Sequence, residues 1–208
     1  MDATFFFRGL LIGLSIAAPV GPIGVLCIRR TLAEGRAAGL VSGLGAATAD
    51  AVYGFIAAFG LTFISGFLID QQTWLRLIGG LFLLYLGVKT LLAEPAGPAA
   101  PALAGGRGLL AAYTSTLFLT LTNPITILFF VGVFAGLGAG ASGSYASAAI
   151  LVAGVFAGSA LWWLTLSGLV SLFRNRFNAR ALRWVNRLSG LVIIGFGLSA
   201  LMSISLKG

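Results

Sequence analysis

The chain has 208 residues, of which 59% are hydrophobic and 9% charged, and a formal net charge of +8. Soluble domains carry charge on about a quarter of their residues, so these values exclude a soluble fold and describe an integral membrane protein. There is no histidine and one cysteine, Cys27, which excludes an internal disulfide, a CxxC redox pair and a His/Cys metal cluster; no cofactor or metal is expected.

Met1 to Arg8 lacks the basic leader of a signal peptide, and the apolar run that follows continues to Ile28, which predicts a retained span. Six stretches, near 5–28, 38–64, 74–93, 109–137, 146–173 and 185–206, are long enough to cross a hydrocarbon core, which takes about 20 residues. The first is broken at Ala18-Pro-Val-Gly-Pro-Ile-Gly24. Proline lacks the N–H and clashes with the carbonyl four residues back, so Pro19 and Pro22 each remove a helical rung. Unwound backbone at membrane depth survives where it is packed in protein or lines a wet cavity, which marks this break as a candidate ligand site.

The second stretch holds Asp50 next to its middle, the one acidic residue deep inside a span. A charge there costs about 2.5–3.5 kcal/mol on insertion scales, so an intramembrane carboxylate is a functional candidate by default. Thr48 and Tyr53 lie on neighbouring helical positions, Tyr53 one turn on. In the fourth stretch Asn123-Pro124 makes a second break, and both breaks and Asp50 fall at one depth.

Basic residues set the orientation. The loops after spans one, three and five hold ten (Arg29, Arg30, Arg36, Lys89, Arg107, Arg174, Arg176, Arg180, Arg183, Arg187), against Arg8, Arg76 and Lys207 on the other side. The positive-inside rule therefore places both termini outside. Arg176, Arg180, Arg183 and Arg187 recur at helical spacing near Phe177 and Trp184, which suits either a short helix on an anionic leaflet or a plain topogenic cluster. Because the basic residues sit beside apolar spans, nucleic acid is not an expected partner.

The Pro/Ala/Gly-rich interval 94–108 is the one linker-like segment and divides the chain into repeats at 1–93 and 109–208. Trp74 to Gly87 matches Trp184 to Gly197, with Trp, Gly-Leu and Gly at one constant offset, and the two proline breaks fall on corresponding spans. Three spans per half make the second half inverted. The expected fold is therefore all-α, six transmembrane helices in two inverted three-helix repeats with helices 1 and 4 broken, the plan of secondary transporters whose site lies at the midplane between broken helices. Ser159 and Trp162 stand where Asp50 and Tyr53 stand in the first repeat. Gly80 and Gly87 permit close helix contact, within one copy or in a homodimer.

Such a site suits a small zwitterion. Half-helix N–H groups after Pro22 or Pro124 can take a carboxylate, and Asp50 with freed carbonyls can take an ammonium group. Asp50 is also the candidate proton carrier; competition between substrate and proton for it would give antiport.

Pro19-Val-Gly-Pro-Ile-Gly24, Gly43-Leu-Gly45 through Asp50 and Tyr53, Leu75-Arg-Leu-Ile-Gly-Gly80 with Tyr85-Leu-Gly87, and Leu121-Thr-Asn-Pro-Ile-Thr-Ile-Leu-Phe-Phe130 together resemble the LysE/RhtB family of bacterial amino-acid exporters. The resemblance covers nearly the whole chain. It implies export of amino acids or related small metabolites across the inner membrane, driven by protons or membrane potential, with Pro19, Gly21, Pro22, Asp50, Asn123 and Pro124 at motif positions. Many members carry a lysine after Asn-Pro, where this chain has Ile125. The alternatives are a divalent metal-ion exporter, which one buried carboxylate without histidine serves poorly, and an accessory membrane protein without transport activity. A thiol-disulfide membrane enzyme would need paired cysteines.

Overall fold

The computed structural model describes residues 2–19, 21–59, 70–93, 106–123, 126–127, 129–130, 145–176 and 179–205. Its helices are α1 (Asp2–Ala17), α2 (Pro22–Glu34), α3 (Arg36–Ala58), α4 (Gln72–Leu91), α5 (Gly106–Leu121), α6 (Tyr145–Phe173) and α7 (Ala179–Ser205), with a 3-10 turn at Arg174–Arg176. Four of them, α3, α4, α6 and α7, are long and apolar enough to cross a membrane, and α1 with α2 make a fifth candidate bent by 81°. The apolar part of α5, Gly108–Leu121, is shorter. The far ends of the expected second and fourth spans, and the interval 94–105, lie outside the described residues, as do Pro124, Ile125, Phe177 and Lys207.

Each helix satisfies its own backbone, which a hydrocarbon solvent requires. Hydroxyls inside spans are absorbed the same way: Thr31, Ser42, Thr48, Thr116, Thr120 and Ser167 each donate to the carbonyl four residues back, at 2.7–2.9 Å. Large apolar side chains such as Leu81, Val88, Leu172, Leu191 and Met202 remain exposed on the outside of the bundle, the surface that acyl chains cover.

Glycines set the helix spacing. In α1 and α6 the contact is reciprocal: a Cβ on Gly9 or Gly13 would lie 2.1 Å from the carbonyl of Leu151 or Val155, and one on Gly154 or Gly158 would lie 2.2 or 2.1 Å from that of Phe6 or Leu10. Both numberings rise together, so the two helices run parallel, backbone against backbone, as small-xxx-small patterns allow. The segments matched in sequence, in α4 and α7, also meet: Gly80 faces Gly197 and Gly87 faces Gly190 in antiparallel order. Of the two uses expected for Gly80 and Gly87, the chain employs the one within a single copy. The helix α3 packs between α5 and α6, with Gly45 against the Tyr113 carbonyl and Gly43 against the Trp163 side chain.

Three sequence expectations shift. Arg29 and Arg30 lie not in a loop but in α2, which runs on to Glu34. It stops at Gly35, whose φ of 106° and ψ of 166° suit glycine alone and turn the chain directly into α3. Arg180, Arg183, Trp184 and Arg187 are not on a separate surface helix. They form the first turns of the continuous 27-residue α7, because nothing between them and the sixth span breaks a helix. Gly106 to Gly108, expected in the linker, already belong to α5.

Candidate functional site

The first break forms where proline chemistry requires it. Ala18 N–H makes the last rung of α1 to Leu14 O (3.0 Å), Gly21 is extended, and Pro22 opens α2, whose helical bonding resumes with Val25 N–H to Gly21 O (3.1 Å). Gly21 supplies no side-chain cap, and among the described residues the first-turn N–H groups of Ile23 and Gly24 have no acceptor, which leaves the positive end of the α2 dipole open. At the second break α5 ends at Leu121. Asn123 N–H bonds Thr120 O (3.1 Å), Asn123 O accepts from Ile127 N–H (3.3 Å), and the chain is helical again at Thr126 and Ile127.

Both breaks open onto one cavity of about 280 Å³. Its lining includes Pro19, Gly21, Pro22, Ile23 and Gly24 from the first break, Asp50 from α3, Thr120, Asn123 and Thr126 around the second, and Trp163 from α6. Asp50, 3% exposed, accepts a 2.7 Å hydrogen bond at Oδ2 from the Ser159 hydroxyl, itself fully buried. The cavity thus sets a carboxylate against helical N–H groups inside a mostly apolar wall, an arrangement able to hold opposite charges of one small molecule.

Of the seven residues singled out in the sequence, Pro19, Gly21, Pro22, Asp50 and Asn123 meet in this lining, and Pro124 lies outside the described residues. Tyr53 is buried one turn from Asp50 but does not line the cavity. Its hydroxyl donates to the carbonyl of Leu121, the last residue of α5, and its ring packs near Phe130. It thereby satisfies one of the helix-end carbonyls that the second break leaves open. Thr48 turns toward α5, accepting from the Tyr113 hydroxyl at 2.9 Å.

Two residues escaped the sequence reading. Trp163 rather than Trp162 lines the cavity; it is 4% exposed, and its indole N–H is buried without an acceptor among the described residues. The signal was Gly43, which makes room for the indole across the α3–α6 contact, but such a pairing is not visible along one chain. Arg30, read as a topological charge, is 7% exposed and bonded to α3 and α5.

The family model described as LysE type translocator matches residues 14–203. The "Putative amino acid efflux protein YcgF" of Bacillus subtilis (strain 168) is 29% identical over 197 residues, covering 92% of each chain. The uncharacterized membrane protein YahN of Escherichia coli (strain K12) is 28% identical over 177 residues, 82% of this chain and 77% of its own. The uncharacterized membrane protein slr1627 of Synechocystis sp. (strain ATCC 27184 / PCC 6803 / Kazusa) is 26% identical over 192 residues, 90% of this chain and 91% of its own. No solved structure matches. With apolar helices of membrane-spanning length and a family match over most of its residues, the chain belongs to the LysE type translocators and is a membrane transporter, not an enzyme.

Proposed function

We propose that this transporter exports amino acids or closely related small zwitterions across the bacterial inner membrane, binding them in the cavity where the two helix breaks meet Asp50. The observation that carries the reading is that convergence: Pro19, Gly21 to Gly24, Asp50 and Asn123, distant in sequence, line one cavity. A volume of about 280 Å³ suits a molecule of amino-acid size rather than a peptide or lipid. The ammonium group goes to Asp50, the carboxylate to the open N–H groups of α2, and Pro124 belongs to the same site. Tyr53 acts behind it by holding the end of α5. The name of the Bacillus relative, "Putative amino acid efflux protein YcgF", agrees with this substrate class.

Asp50 also carries the coupling proton in this reading, so that substrate and proton alternate on one carboxylate and export follows as antiport; drive by the membrane potential alone is the second form of coupling. Two inverted repeats, 1–93 and 106–208, joined by 94–105, supply the alternating motion, with both termini periplasmic. Support comes from helix pairing. Exchanging the first three spans for the last three turns the α1–α6 contact into α5–α3 and leaves α4–α7 and α3–α6 as they are, and all four contacts are extensive. The metal-exporter alternative gains nothing from the cavity, where Asp50 is the one acidic side chain in the lining among the described residues.

Reconstitution into liposomes and counterflow of labelled amino acids, wild type beside Asp50→Asn, tests the proposal. Exchange of a subset by wild type that Asp50→Asn abolishes is the expected result. Exchange that persists in the variant but ignores an imposed pH gradient would leave Asp50 with the proton alone. No exchange of any amino acid by a folded wild type would overturn the reading.

A further inference from the structure

A second and larger cavity, about 760 Å³, lies between α2, α4 and α5 and uses none of the residues of the first. The two follow each other along α2: Pro22, Ile23 and Gly24 face one, and Leu26, Arg29 and Arg30 face the other. Leu26, Leu83, Leu86 and Leu119 belong to the buried apolar cluster at this level. The far end of α2 is the arginine-rich end of the molecule, where Arg174 donates to Leu32 O.

Among the described residues the wall of this second cavity is cationic: Arg29, Arg30 and Lys89 against Glu34. Glu34 is taken by Arg29, at 2.6 Å. Arg30 is nine-tenths buried with no carboxylate in ion-pairing reach among the described residues. Its Nη1 donates to Ser42 Oγ (2.8 Å), Ala112 O (2.9 Å) and Thr116 Oγ1 (3.0 Å), and its Nη2 to Ser115 Oγ (2.8 Å). Every one of these acceptors is neutral. A guanidinium has five N–H groups, and among the described residues Nε–H and part of the Nη2 amino group are left without an acceptor, the two nitrogens through which arginine can take a carboxylate by parallel bonds. Burying an unpaired cation is costly, and neutral oxygens offset only part of that cost. The Glu34 carboxylate acts on Arg30 from beyond ion-pair distance, and an anion in the adjoining cavity would complete the balance.

We propose that Arg30, with Lys89 at the rim, forms a carboxylate-binding station, and, resting on the exporter reading above, that it receives the carboxylate of the amino acid before the molecule passes the leucine cluster to Asp50.

Ala111 is exposed on the wall of this cavity, and the native Cys27 is buried, so Ala111→Cys gives a local thiol probe. In lipid-free detergent, with the chain lacking Ala111→Cys as the blank, the anionic sulfonatoethyl methanethiosulfonate should modify this thiol about ten-fold faster than its trimethylammonium counterpart. Lys89→Gln should reduce that ratio about three-fold, and Arg30→Gln more. Acetate should protect the thiol from the anionic reagent, and methylammonium should not. Because Arg30→Gln removes four buried bonds and can fail to fold, Lys89→Gln and acetate protection carry the test without it. No anion preference, or a preference indifferent to Lys89→Gln and to acetate, overturns the station. Protection by phosphatidylglycerol vesicles that acetate does not reproduce overturns it in favour of a lipid phosphate. Acetate protection in a protein that exchanges no amino acid would leave the anion site standing while the exporter reading falls.

Discussion

The hydrogen bond from Ser159 to Asp50 makes the sharpest test of the site. Both side chains are buried, the bond is 2.7 Å long, and it is the one hydrogen bond to the Asp50 carboxyl group among the described residues. Neutral interhelical hydrogen bonds in membrane bundles average about 0.6 kcal/mol in double-mutant cycles, with a maximum near 1.7. Bonds to charged groups contribute about 1.5–3 kcal/mol. For a short bond with both partners out of solvent and a carboxylate acceptor, the coupling should lie where these ranges meet, at about 1.5 kcal/mol. The cycle comprises wild type, Ser159→Ala, Asp50→Ala and the double variant, each unfolded reversibly in mixed micelles by titration with dodecyl sulfate. Independent sites add within about 0.3–0.5 kcal/mol, so coupling inside that margin would refute the contact as described. Coupling near 0.6 kcal/mol would keep the contact and remove the charge from Asp50 under the conditions used. In transport, Ser159→Ala should raise the half-saturation concentration while exchange persists, since it loosens Asp50 without removing it.

Gly158→Ala places a methyl 2.1 Å from the Leu10 carbonyl, whereas Gly54→Ala meets nothing closer than 3.5 Å. The first should cost about 1–3 kcal/mol and the second should be close to neutral, as read by thermal unfolding in detergent. Gly35→Ala forces a side chain into a backbone region open essentially to glycine and should destabilise by about 1–3 kcal/mol, while Gly168→Ala, with open space around it, serves as the control. Tyr53→Phe removes the bond to the Leu121 carbonyl and should cost about 1 kcal/mol of stability, yet leave substrate half-saturation near the wild-type value, because the hydroxyl does not line the cavity. Trp163→Phe deletes a buried N–H that has no acceptor among the described residues, so weakened exchange without loss of stability would identify that N–H as a substrate contact.

The sequence by itself determined the membrane class, the helical character, the two breaks and the identity of Asp50. Each of these follows from a local rule: apolar runs of spanning length need internally bonded backbone, proline removes a rung, and a carboxylate at mid-span needs a reason to be there. The likeness of Gly80 and Gly87 to Gly190 and Gly197 was legible as a repeat along the chain, but that the two segments pack against each other came only from the tertiary structure.

What a residue does with its side chain was decided only by the tertiary structure. Asp50, Tyr53 and Thr48 look equivalent along one helix, yet one faces the cavity, one closes the end of α5 and one meets Tyr113. Arg30 looks like any arginine at the end of a span, and only the packing of α3 and α5 around it surrounds its guanidinium with hydroxyls beside an open cavity. Trp163 and Trp162 are neighbours with the same composition around them, and Gly43 on another helix selects which one enters the site. The physical reason is the same in each case. Periodicity along a helix sets which residues share a face, but the identity of the helix opposite that face depends on crossings between distant segments, and no single stretch of sequence carries that information.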